Sequence, residues 1–235
     1  MPGQHWNLIC IAAAVALLVL AGTPAGAQIP PTAQEIAAYG GLHAAAAKGD
    51  VAEIRKLAAG RADLNARDAR GRTPLMVAAF QKQRDAARAL VDAGADLNLL
   101  EHQAYDVITI AAVLDDVEMV KLAIASGGNA RAVTSPYKGT ALIAAAHLGH
   151  AEVVAALIAG KAPLDHVNNL NWTALIESIV LGNGGPRHVA TLEALVKAGA
   201  DINLADGQGV RPLSLAKARG YTRMVEILER AGAKP

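Results

Sequence analysis

A repeat of thirty-three residues constrains this chain more than any other feature. Ala62-Asp63-Leu64-Asn65 returns as Ala95-Asp96-Leu97-Asn98 thirty-three residues later, and again as Ala200-Asp201-Ile202-Asn203. A second marker keeps the same period. Leu42, Leu75, Ile108, Leu142, Leu175 and Leu213 each head a run of small or apolar residues, at successive spacings of 33, 33, 34, 33 and 38. A fixed period of this length signals stacked supersecondary units, none of which can hide its apolar face alone.

Local chemistry says what each unit is. Thr73-Pro74 suits a helix start, where proline lacks only a donor the helix does not use. Leu75, Ala78 and Ala79 share one face of a short inner helix. Gly49 and Gly149 end inner helices, because glycine takes a left-handed conformation at little cost. Val153, Val154, Leu157 and Ile158 form the buried stripe of an outer helix, and Gly94, Gly199 and Gly232 close outer helices. Residues are 53% hydrophobic yet only 3% aromatic, a balance that suits close helix packing and disfavours strands. The expectation is an all-α solenoid of about six helix-turn-helix units joined by β-hairpin-like loops.

The segments Asp68-Ala69-Arg70-Gly71-Arg72-Thr73-Pro74-Leu75, Ala93-Gly94-Ala95-Asp96-Leu97-Asn98 and Gly149-His150-Ala151-Glu152-Val153-Val154 carry a resemblance to the ankyrin-repeat family. It runs over 40–235, in units near 40–66, 67–99, 100–132, 133–166, 167–204 and 205–235. The resemblance implies a protein-binding module shaped like a cupped hand, with hairpin tips as fingers and inner helices as palm. Several departures stand out. Thr73-Pro74-Leu75-Met76 lacks the family's histidine, and Leu114-Asp115-Asp116 replaces a glycine, so the third unit is expected to be soft. Glu177 falls where an apolar residue belongs, either as a paired internal acid or bent outward. Gly182–His188 replaces the usual tight turn and carries a five-residue insertion: an anion site, a solvated loop or a partner contact.

Superposing the units gives columns of presented positions. Fingers are expected to offer Arg72, Tyr105 and Trp172, with Arg70, His102 and Tyr137 beside them. The palm is expected to offer an apolar strip of Phe80, Val113, Leu114, Leu148, Val180 and Leu181, joined by Arg187 from the insertion. Exposed apolar patches commonly mark interaction sites, and Trp, Tyr and Arg often dominate their energy. The competing expectation is that these side chains pack against the next inner helix and never meet solvent.

The first twenty-seven residues stand apart. The apolar run Leu8–Leu20, followed by Ala25-Gly26-Ala27, reads as a signal peptide cut before Gln28, though its start lacks Lys and Arg; the alternative is a retained anchor. Thr32-Ala33-Gln34-Glu35 then reads as a capping box opening a short helix within an N-terminal capping segment at 28–39. The one cysteine, Cys10, lies in the signal, so the remaining chain has no thiol and the bacterial periplasm suits it. With 22 basic and 21 acidic residues there is no electrostatic footprint for nucleic acid or for a membrane surface. No catalytic, metal or cofactor pattern emerges. The expectation is a monomeric, non-enzymatic periplasmic module that binds a protein partner. Asn171–Glu177 with the Gly-Gly-Pro-Arg-His loop also resembles secreted bacterial ankyrin proteins, some associated with periplasmic catalase. That resemblance implies an alternative role as a protective accessory factor.

Overall fold

The second to fifth units each begin where a polar side chain satisfies the free N–H groups of a helix start. The hydroxyls of Thr73, Thr140 and Thr173 and the carboxylate of Asp106 accept from the backbone three residues on. Uncapped N–H groups would otherwise be stranded in the core. The computed structural model describes residues 28–235, and the expected signal segment and Cys10 lie outside the described residues.

Thirteen helices follow among the described residues. α1 (Ala33–Ala38) precedes the repeats, and its start is the reciprocal capping box of Thr32 and Glu35. The inner helices are α2 (Gly41–Lys48), α4 (Pro74–Phe80), α6 (Val107–Val113), α8 (Ala141–Leu148), α10 (Ala174–Val180) and α12 (Pro212–Ala218). The outer helices are α3 (Val51–Ala59), α5 (Arg84–Asp92), α7 (Val117–Ala125), α9 (Ala151–Ala159), α11 (Pro186–Lys197) and α13 (Thr222–Arg230). Sheet pairing among the described residues is limited to one isolated antiparallel bridge between Val133 and Thr140.

The core runs the length of the stack as two buried columns. Leu75, Ile108, Leu142, Leu175 and Leu213 line the inner one; Leu90, Ala123, Leu157, Leu195 and Leu228 line the outer. Burying each such leucine is worth about 1.5–3 kcal/mol, a gain that only a neighbouring unit can supply.

The recurring Ala-Asp-Leu-Asn text has a physical purpose. Asp63, Asp96 and Asp201 each accept from the backbone N–H two residues on, folding the turn. The asparagines reach across to the next unit. The Asn65 side-chain oxygen accepts from the N–H of Asp96 at 3.0 Å, Asn98 from Asn129 at 2.8 Å and Asn203 from Lys234 at 2.7 Å. Asp165 does the same for Asp201 at 2.8 Å. These bonds set the register between units.

The second and third units lack glycine at the turn between their helices; Lys82 holds a φ of 54° there. Asp115 occupies the position of Gly49 and Gly149 and, like them, takes a positive φ, here 55°. Asp116 is buried; it caps α7 through the N–H of Met119 and pairs with Arg84 at 2.9 Å.

Candidate protein-binding surface

Two faces of the stack present side chains: the hairpin fingers and the concave palm. In the fingers, one polar side chain organises each tip. Asp68 accepts from the N–H groups of Arg70 and Arg72, Glu101 from Gln103 and Tyr105, and Asn168 from Leu170 and Trp172. Neighbouring fingers then link through backbone bonds, His102 N–H to Arg70 C=O at 3.0 Å and Asn169 N–H to Tyr137 C=O at 2.9 Å. At Gly71, φ is 78° and an added Cβ would lie 2.5 Å from the His102 ring, so this tip requires glycine twice over.

The structure corrects two expected finger residues. Arg72 is only 1% exposed and faces inward. It donates to Asp68 at 2.7 Å, to Glu35 at 2.8 Å and to the Ile29 carbonyl at 3.2 Å. Tyr39 O–H donates to the same Asp68 carboxylate at 2.7 Å. The N-terminal segment thus folds over Arg72 and removes it from any partner's reach. The Thr32 backbone N–H, the Thr32 hydroxyl and the two arginines hold the Glu35 carboxyl down at about 2, against a burial cost of opposite sign. Burial raises the Asp68 carboxyl, but bonds from Tyr39 and Arg72 outweigh it and leave it lowered. Tyr105 is likewise buried, and its hydroxyl is pushed up to about 12 by burial first and then by Tyr137 and Glu101.

Other expected finger residues do meet solvent. Tyr137 is 40% exposed and His102 is exposed, while Trp172 is half-buried against the core. Arg70 is partly exposed and paired with Glu35 at 3.1 Å. A further apolar column was not singled out from the sequence: Leu100, Val133 and Val167, with Leu170 beside it, are all exposed. They lie 33 and 34 residues apart, so the repeat spacing itself carried the signal.

On the palm, Phe80, Val113, Leu114, Val180 and Leu181 are half-buried and Leu148 is 38% exposed. Phe80, Leu114 and Val180 pack against the core while keeping part of their surface open. Glu177 lies beneath this strip, in α10, and is buried. It is a paired internal acid: Asn168 Nδ2 donates to it at 2.7 Å and His147 Nδ1 lies 3.5 Å away.

The inserted loop borders the palm and bonds back to the neighbouring units. Arg187 donates to Asp115 at 2.8 Å and to the Gly149 carbonyl at 3.3 Å, touching the third and fourth units from the fifth. The two ring nitrogens of His188 face Asn183 Oδ1 at 3.1 Å and the His147 carbonyl at 2.9 Å. Tyr221 O–H donates to the Gly182 carbonyl at 2.9 Å from the sixth unit. Within the chain Arg187 thus already meets one carboxylate, and the His188 ring faces two oxygen atoms.

A family model for ankyrin repeats, three copies, matches residues 13–101 and 108–206. The chain belongs to the ankyrin-repeat family. This ankyrin protein is 32% identical over 190 residues to the ankyrin repeat protein YahD of Escherichia coli K12, covering 80% of the present chain and 94% of YahD. It is similar to the crystal structure of an ankyrin repeat domain from Acinetobacter baumannii AYE, at TM-score 0.78 and 40% identity, covering 82% of this chain and 98% of that one. It is also similar, at TM-score 0.68 and 26% identity, to a chain in a complex of a predatory endopeptidase with an immunity protein from Bdellovibrio bacteriovorus. That match covers 82% and 98% of the two chains. Ankyrin repeats are protein–protein interaction modules, and no helix among the described residues of this one is long and apolar enough to cross a membrane.

Proposed function

We propose that this ankyrin protein captures a partner protein on its palm in the bacterial periplasm and carries out no chemistry of its own. The observation that carries the reading is the uncovered strip of Phe80, Val113, Leu114, Leu148, Val180 and Leu181 along successive inner helices. Apolar side chains held on rigid helices lose little entropy when a partner covers them. The exposed finger residues Tyr137 and His102, with Trp172, stand at its edge, and the insertion carrying Arg187 forms its other border.

The similar chain in the endopeptidase–immunity complex supports this reading, since such a stack occurs there in an assembly with a protein partner. The periplasmic setting rests on the Leu8–Leu20 run, the Ala25-Gly26-Ala27 text and the absence of cysteine beyond Cys10. Two substitutions test the surface. Leu148→Asp and Val180→Asp together are expected to abolish retention of the partner from periplasmic extract at unchanged helical content. Undiminished retention would refute the palm as the binding face. N-terminal sequencing of the exported chain tests the compartment, with Gln28 as the expected first residue.

A further inference from the structure

The charged groups around the palm are not evenly spent. Three carboxylates there are engaged within the chain. Asp50 caps α3 through the Glu53 N–H, Asp115 pairs with Arg187 at 2.8 Å, and Glu177 is buried against Asn168 and His147. The cations are not occupied in the same way. Lys48, in the last turn of α2, is exposed and meets no acid among the described residues. Lys82 donates to the Leu114 carbonyl at 2.9 Å and Arg219 to the Val180 carbonyl at 3.3 Å, and neither meets a carboxylate.

Those carbonyls lie at inner-helix ends, where a cation is favourable in its own right. One such bond uses one of three ammonium donors or one of five guanidinium donors, so most of the donor capacity stays open. The positions matter as much as the count. Lys48 and Lys82 lie at the ends of the first two inner helices and Arg219 at the end of the sixth, with the apolar strip between them. The whole chain carries a formal charge of only +1, so this cationic rim is a local arrangement.

We propose that the palm is built for an acidic amphipathic segment of the partner protein. Its apolar side chains lie on Phe80, Leu114, Leu148 and Leu181, and its carboxylates meet Lys48, Lys82 and Arg219. This rests on the palm being the binding face. Opposite charge at the rim chiefly sets which partner is accepted and how fast it arrives, while the strip supplies the desolvated contact.

Selection of random displayed peptides on the immobilised full-length chain tests this without a known partner. The enriched pool is expected to carry Asp or Glu flanking an apolar run. Its binding should weaken about tenfold or more in the triple variant Lys48→Glu, Lys82→Glu, Arg219→Glu, and fall with added salt. A pool that is neutral or basic, or insensitive to the triple variant, overturns the acidic-partner proposal. An acidic pool that binds Leu148→Asp as tightly as the unaltered chain overturns the palm reading itself. Self-association in sedimentation that Leu148→Asp abolishes overturns the proposal in favour of a second copy as occupant.

Discussion

Replacing Arg72 with methionine should undock the N-terminal segment. The guanidinium holds Asp68, Glu35 and the Ile29 carbonyl at 2.7, 2.8 and 3.2 Å from a site that is 1% exposed. Removing one partner of a buried ion pair costs about 3–5 kcal/mol, most of it from the charge left behind. The Asp68 side chain is 8% exposed but keeps Tyr39 and the backbone N–H groups of residues 70 and 72, and Glu35, at 27%, can turn to water. The lower end of the range, about 3 kcal/mol, therefore applies. The loss should be read by urea unfolding at neutral pH, together with amide exchange across Ala33–Ala38.

The pH dependence supplies a second check on the same network. The Glu35 carboxyl titrates at about 2 when folded against 4.5 unperturbed, so its stabilisation is full above 4.5 and is lost as the pH falls toward 2. At about 1.4 kcal/mol per unit, discounted for the partly open side chain, this amounts to about 1–2 kcal/mol. Asp68, also lowered, loses its contribution in the same direction. The gap between wild type and Arg72→Met should narrow over that acid range. Unchanged urea stability at neutral pH, with unchanged protection of Ala33–Ala38, would refute the docking argument.

Three further outcomes follow from the site geometry. Glu177→Leu should destabilise by about 1–3 kcal/mol, because the Asn168 amide loses its buried acceptor, and urea unfolding measures it. Arg187→Ala breaks a largely exposed pair and should cost less than about 1 kcal/mol, while speeding amide exchange in residues 182–188 and around Asp115. Gly184→Ala should destabilise the loop, since φ is 68° there and the new Cβ would lie 2.4 Å from the Tyr221 ring; limited proteolysis should cut this variant faster at the loop.

Much of this was legible because a repeat gives every residue an address. The helix start at Thr73, the left-handed ends at Gly49 and Gly149 and the packed leucine columns all follow from local chemistry at a fixed period. Column position alone does not set side-chain direction. Arg72 shares a column with the half-buried Trp172, yet the N-terminal segment brings Glu35 and an Ile29 carbonyl to it, contacts 37 and 43 residues away. Tyr105, in the same column, is buried as well. The bond from Arg187 to Asp115 spans 72 residues and two unit boundaries, and no pattern within a unit announces it. Leu100, Val133 and Val167 were visible at the repeat spacing, but their exposure depends on how far each finger projects.

Photo-crosslinking in the native compartment tests the binding face most directly. A photoreactive residue placed at Leu148, on the palm, should yield an adduct with another protein, whereas one at Glu152, on the first turn of α9, should not. Adducts at Glu152 with none at Leu148 would contradict the account.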